Sequence, residues 1–244
     1  EATYLASRYL PHEQDPTVLA VVANEQEVFV AGVADQIIVG GNRFVGSTYP
    51  TTQPAAVEEE LKEHTRKIGR ILGREGFRGI FGCDYLVTPE GEVKFLEVNA
   101  RKQGTTLEFC YTLEQSLPES APSLPELEYY AVVEETFPAH SRELTTNGKK
   151  IHWATYNFKV IKMRCTKGYI PQNPYEREAF QKVADGELLK DFVILEHIGS
   201  NYAILPGTFL ARVVSVARNH DDTAEGIRLG KEFIEMTIDW KSEY

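Results

Sequence analysis

Twenty residues near the middle of the chain, 82–101, alternate as the two arms of a β-hairpin do. Glu90-Gly91 reads as a two-residue turn, because Gly supplies the positive φ that such turns need. Folding about it sets Thr88 against Val93, Leu86 against Phe95 and Asp84 against Glu97. Side chains two apart share a face, so Asn99 joins Glu97, and Arg101 follows if the strand runs that far. Cys83, Tyr85, Val87, Leu96 and Val98 are expected to form an apolar, core-facing side, with Cys83 as core and not as a nucleophile.

Asp84 and Glu97 carry the chemistry. Opposed Cβ atoms lie roughly 5 Å apart. Two carboxylates about 4 Å apart repel by about 4 kcal/mol at an effective dielectric of about 20. Such a pair needs a proton, an arginine or a cation. Asp, Glu and Asn offer hard oxygen ligands, which suit Mg²⁺ better than zinc. Facing acids also occur on ordinary surface hairpins. These sit at the end far from the turn, which favours a metal site.

The stretch Gly82-Cys83-Asp84-Tyr85-Leu86, a hairpin, then Phe95-Leu96-Glu97-Val98-Asn99 followed by Arg101 resembles the metal-binding end of the ATP-grasp enzymes. That superfamily includes biotin carboxylase, carbamoyl phosphate synthetase and D-alanine–D-alanine ligase. The resemblance implies that Asp84, Glu97 and Asn99 hold the Mg²⁺ (or Mn²⁺) of ATP. It implies that Arg101 is catalytic, contacting phosphate or the carboxylate substrate as in the carboxylase-like branch. It also implies that the loop Gln103-Gly104-Thr105-Thr106 offers backbone N–H donors near an acyl phosphate, with Gly104 at its centre.

Residues 3–11 and 16–23 read as two strands and 28–39 as a third, after the polar break Asn24-Glu25-Gln26-Glu27. By the resemblance the first is a hinge strand, so the backbone at Tyr9 and Leu10 would meet adenine. The acid usual just beyond the hinge is replaced by Ser7, which leaves Glu13 or Asp15 for the ribose. Gly40-Gly41-Asn42-Arg43-Phe44-Val45-Gly46 is glycine-rich but lacks the Gly-Lys-Ser/Thr of a P-loop, and is expected to be a loop over the site. Val57, Leu61, Thr65, Ile68 and Ile71-Leu72 recur at helical spacing. Acids at 58–60 and Arg70 and Arg74 suit the two ends of that helix dipole, and its charges, His64 included, are expected to be solvated.

The chain opens at Glu1 almost directly on the expected hinge. The resemblance covers residues 1–115, the second half of an ATP-grasp unit, and the earlier lobe with its lysine and phosphate-covering loop is expected to lie outside this sequence. The proline-rich run 117–125 marks a boundary, with 116–244 forming a smaller mixed α/β domain that completes or walls the site. There a helix is expected at 125–136, strands at 151–163, 192–198 and 209–217, and an acid-capped helix from Asp221. His152, Lys159, Arg164, His197 and Arg212 are its candidate pocket residues. Arg212 stands out as a single charge in an apolar strand, requiring a carboxylate partner or a substrate anion.

With 42% hydrophobic residues in 244, the chain can bury a real core, and its net charge of −10 argues against a nucleic-acid partner. No stretch approaches the roughly 20 apolar residues of a membrane span. Cys83, Cys110 and Cys165 show no metal spacing, which fits a reducing cytoplasmic compartment. The expected fold is α+β, an ATP-grasp-like antiparallel sheet with helices. The function it implies is a ligase that phosphorylates a small-molecule carboxylate with Mg·ATP and joins it to an amine. A bicarbonate-phosphorylating enzyme of the carbamoyl phosphate synthetase or biotin carboxylase kind, and a non-catalytic binding module, are the alternatives. A homodimer is compatible with each.

Overall fold

Eight strands form one antiparallel sheet that runs through most of the chain. The computed structural model describes residues 9–145, 151–160, 164–166, 175–195, 203–237 and 240–241. Its strands are β1 (Pro16–Val22), β2 (Val28–Val39), β3 (Arg43–Tyr49), β4 (Gly79–Val87), β5 (Val93–Asn99), β6 (His152–Lys159), β7 (Arg164–Thr166), β8 (Lys190–Leu195), β9 (Ala203–Ile204), β10 (Phe209–Ala217) and β11 (Trp240–Lys241). The large sheet has the order β5-β4-β1-β2-β3-β6-β10-β8, and β11-β7-β9 make a small second one. Pairing of β3 with β6 joins strands from both sides of the proline-rich run. Among the described residues five α-helices pack on the large sheet: α1 (Ala55–Arg74), α2 (Thr106–Ser116), α3 (Leu124–Tyr129), α4 (Glu176–Asp185) and α5 (His220–Thr237). The expected α+β class with an antiparallel sheet is the observed one. No helix among the described residues is long and apolar enough to cross a membrane.

Alternation along β1 and β4 divides the core. On one face α1 lays Leu61 against Val18, Ala20, Val22, Phe81, Cys83 and Tyr85, and Thr65 Oγ1 and Tyr85 Oη share a 2.8 Å hydrogen bond. On the other, Leu19, Val21, Phe29 and Ile80 meet Phe109, Leu113, Leu124 and Trp153. Trp153 Nε1 donates to Thr112 Oγ1 at 3.0 Å, which ties β6 to α2. A third cluster seats Ile234 of α5 on Ile194, Leu210 and Val213.

Several local expectations need correction. The hairpin turn has three residues, Pro89-Glu90-Gly91: Gly91 N donates to Thr88 O at 2.8 Å, Thr88 N to Glu92 O at 3.1 Å, and Gly91 has φ 82°. The odd loop sets Leu86 against Lys94 and Tyr85 against Phe95, one residue from the expected register. A bulge between Asp84 and Tyr85 then restores the pairing of Asp84 with Glu97. Beyond the bulge β5 is an edge strand, so Leu96 and Val98 are 57% and 40% exposed, not core. Leu96→Ala should change stability by no more than about 0.5 kcal/mol. Phe81→Ala, at a fully buried position, should cost about 3–5 kcal/mol. Denaturant unfolding of the two variants checks the contrast, and similar losses would contradict this packing.

Residues 9–11 are not strand, and the rest of the expected hinge strand, Ser7 included, lies outside the described residues. The glycine-rich segment is a hairpin and not a free loop: Gly40 and Gly41, with φ 66° and 82°, turn the chain into β3, whose Phe44 reaches the cleft at Asp84. Nor are all charges of α1 solvated. Glu58 and Lys62 are buried and paired at 3.0 Å, one helical turn apart on the core-facing side. The helix expected at 125–136 is α3 continued by a π-helical turn, Tyr130–Glu134. Asn219, not an acid, caps α5, its Oδ1 accepting from Asp222 N at 2.8 Å. Helices α2 and α4 and the small sheet were not expected at all.

Candidate active site

Asp84 lies on the face of β4 away from α1, because Cys83 and Tyr85 on either side of it take the α1 face. Thr17 of β1 is its neighbour on one side and Glu97 of β5 on the other. The chain after β5 folds back over this face and enters α2, with Gln103 N donating to Thr106 Oγ1 at 3.0 Å and Thr106 N to Gln103 O at 3.1 Å. A cleft of about 180 Å³ results, lined by Thr17, Gln36, Phe44, Ser47, Asp84, Glu97, Asn99, Arg101 and 103–105.

The polar groups there are linked. Asn99 Nδ2 donates to Asp84 Oδ2 at 3.0 Å and to Glu97 Oε1 at 3.2 Å. Arg101 Nη2 donates to Asn99 Oδ1 at 3.0 Å, and its Nη1 to Lys102 O at 3.1 Å. Gln103 Nε2 reaches Asp84 Oδ1 at 3.4 Å, while Gln103 Oε1 accepts from Thr17 Oγ1 at 3.4 Å. Burial pushes the Asp84 carboxyl above its ordinary range; Thr17 and Gln103 oppose this, and the Glu97 charge adds to it. Thus Asp84, Glu97, Asn99 and Arg101, all read from the sequence, come together in one cleft.

The donor set fits a hard divalent cation. Two carboxylates converge, and the Asn99 amide stands between them where its carbonyl oxygen would serve equally if the amide turned. Thr105 Oγ1, buried on the cleft wall, has no hydrogen-bond partner among the described residues. Among those residues no group of three or more His, Cys, Asp and Glu side chains is placed to hold a metal ion; this cleft offers two acids and an amide.

Tyr9, Leu10 and Asp15 fall elsewhere. Tyr9 is 75% exposed, Leu10 O accepts from His12 Nδ1 at 2.9 Å, and Asp15 Oδ1 pairs with His12 Nε2 at 3.1 Å. None of the three lines the cleft. Burial raises the Asp15 carboxyl, against a lowering by His12. Gly104 lines the cleft, but the recorded contact is through its carbonyl, which accepts from Arg212 Nη2 at 2.5 Å. Cys83 is core as expected, its thiol pushed up to about 12 by burial. His152 packs edge-on against His220, ring centroids 4.6 Å apart, away from the cleft. Lys159 ends β6 and does not line the cleft. His197 and the Arg164 side chain lie outside the described residues.

Two participants were missed. Thr17, a lone hydroxyl in an otherwise apolar strand, was a readable signal. Glu108 of α2 was not, because nothing in the order of residues says that its carboxylate is the one Arg212 requires. The two form an ion pair with side chains 1% and 13% exposed. Arg212 and Glu108 also line a second cavity of about 530 Å³, with Ile80, Leu107, Lys102 and Glu128 among its walls. It meets the first cleft at Gln103 and Gly104.

No protein-family model matches the chain. It is 30% identical over 89 residues to an L-propargylglycine–L-glutamate ligase of Streptantibioticus cattleyicolor, a match covering 36% of this chain and 18% of that protein. It is 26% identical over 92 residues to the [butirosin acyl-carrier protein]–L-glutamate ligase of Niallia circulans, covering 37% and 22%. Among solved structures, carboxyaminoimidazole ribonucleotide synthase of Aspergillus clavatus complexed with ATP superposes with a TM-score of 0.59 at 16% identity, over 94% of this chain and 52% of that one. The biotin carboxylase domain of Hydrogenobacter thermophilus 2-oxoglutarate carboxylase, with MgADP and bicarbonate, gives 0.65 at 12% identity, over 96% and 47%. The chain therefore spans about half the length of these structures, its matches to the ligases cover less of them, and the fold it shares with the solved structures is the ATP-grasp fold.

Proposed function

We propose that this chain supplies the metal-binding part of an ATP-dependent ligase that activates a carboxylate as an acyl phosphate and joins it to an amine. The observation that carries the reading is the convergence of Asp84, Glu97, Asn99 and Arg101 in one cleft. Asp84, Glu97 and the Asn99 amide oxygen would hold Mg²⁺, or Mn²⁺. When bound, the ion supplies neutralisation of charge on the ATP phosphates, the main source of catalysis in phosphoryl transfer. Arg101 keeps its contact to the Lys102 carbonyl when the Asn99 oxygen turns to the ion, and its Nη2, released from Asn99, orients the transferred phosphate or the carboxylate. Backbone N–H groups around Gly104 donate to the oxyanion formed as the amine attacks. Tyr9 and Leu10 for adenine, and Asp15 for ribose, rest on family resemblance alone.

In this reading residues 1–115 form the second half of an ATP-grasp unit and 116–244 wall the active site. The contact of Arg212 with Gly104 and Glu108 supports that role. The whole reaction belongs to a longer polypeptide, consistent with the fraction of the solved structures that this chain spans. Carboxylates are tested with ATP, Mg²⁺ and hydroxylamine, which traps an acyl phosphate as a hydroxamate. The expected result is ADP and hydroxamate in equal amounts with at least one carboxylate, L-glutamate among those tried. ADP release unaffected by every carboxylate would overturn the reading. Bicarbonate as the phosphorylated acid is favoured by the carboxylase structures, and would show as bicarbonate-stimulated phosphate release without hydroxamate.

A further inference from the structure

The Gln103 side chain occupies a space that the sequence of β4 keeps open. Gly82 lies two residues before Asp84, so a side chain there would project beside that of Asp84. A Cβ at position 82 would overlap the terminal carboxamide of Gln103, meeting its carbon, nitrogen and oxygen alike. Gly82 has no positive φ, so the requirement is for space and not for backbone freedom. With that space free, Gln103 bridges β1 and β4. Its oxygen accepts from Thr17 Oγ1 and its amino group donates to Asp84 Oδ1, both at 3.4 Å. Asp84 Oδ2 is engaged on its other side by Asn99 at 3.0 Å. The carboxylate therefore stands between two amides, of which Asn99 is a candidate ligand and Gln103 is not.

We infer that Gln103 is a positioning residue, which fixes the Asp84 carboxylate for cation binding, and that Gly82 exists to admit it. The inference rests on the reading of Asp84 as a metal ligand. The Asp84 carboxylate, which can only accept, fixes which way round the Gln103 amide sits, drawing its amino group and leaving its oxygen to the Thr17 hydroxyl. Partners of this kind hold a ligating carboxylate in one orientation, and their loss typically weakens metal binding about 10- to 100-fold. Gln103 also walls both cavities, so a shift of its side chain alters the passage between them.

The test is the affinity of Mn²⁺ in the presence of ADP, read by electron paramagnetic resonance on the natural polypeptide, with thermal melting as a folding control. Gln103→Met keeps the bulk and removes the donor, and should weaken Mn²⁺ by about tenfold or more. Gly82→Ala should do the same by displacing the carboxamide. The double variant Gly82→Ala/Gln103→Ala relieves the overlap but restores no donor. Its affinity should stay as low as that of the single variants. Recovery in the double variant, or wild-type affinity in Gln103→Met, would show that Gln103 only fills space and would overturn the inference. Asp84→Asn separates the two levels. If Asp84→Asn alone loses Mn²⁺, the positioning role fails and the metal reading stands; if Asp84→Asn binds as wild type does, the metal reading itself fails.

Discussion

Glu97→Gln is expected to lower Mg·ATP turnover of the natural polypeptide by about 10³-fold while leaving the fold intact. Stabilisation of transition-state charge by a bound cation is worth several kcal/mol, and 1.36 kcal/mol corresponds to about tenfold in rate. The substitution keeps the size and shape of the side chain and removes one of the two negative charges that face each other across β4 and β5. Glu97 is exposed at the sheet edge, so the change empties no core space. Since Glu97 raises the Asp84 carboxyl, removing its charge relieves repulsion in the folded state. Melting temperature should therefore stay the same or rise slightly. Steady-state kinetics beside a thermal melt reads both quantities. Full turnover in Glu97→Gln would remove it from the metal site, and a lower melting temperature would contradict its place at the edge.

A loss of stability as large as that of emptying the core at Phe81 is expected at Arg212→Met. Arg212 holds Glu108, whose side chain is almost fully buried, and reaches the Gly104 carbonyl as well. Removing one partner of a buried pair leaves a carboxylate in low dielectric without the cation placed to balance it, typically at about 3–5 kcal/mol. The double substitution Arg212→Met/Glu108→Leu should recover most of that loss, because replacing both charges by apolar groups removes the desolvation cost with the attraction. Urea unfolding of the single and double variants gives the values. A single-variant loss below about 1 kcal/mol would mean that the pair behaves as a solvated surface bridge. The double variant would still lack the contact to Gly104, so its activity should remain impaired where its stability is not.

What the sequence disclosed, and what it hid, follows from the range of the interactions involved. Asp84, Glu97, Asn99 and Arg101 were legible because they lie on two strands joined by a short turn, where alternation decides the face. Even there the register held for a reason not foreseen. A three-residue turn shifted it by one, and the bulge at Asp84–Tyr85 shifted it back. Leu96 and Val98 were misplaced because burial at an edge strand depends on what lies beyond the sheet, which alternation does not report. Glu58 and Lys62 were taken for surface charges because acids in a first helical turn suit the dipole wherever the helix sits. Arg212 was correctly read as requiring an anion, but its partner is 104 positions away in sequence. The side chain of Gln103 went unread because its place depends on an absent one, at Gly82.

In the proposed site Asp84, Glu97 and Asn99 bind the cation that accompanies ATP. Calorimetric titration of ATP into the natural polypeptide, with and without Mg²⁺, and into its Glu97→Gln variant tests this most directly. The account predicts binding that strengthens with Mg²⁺ in the wild type and loses that dependence in Glu97→Gln. Binding of ATP with the same Mg²⁺ dependence in both proteins, or no binding by either, would contradict it.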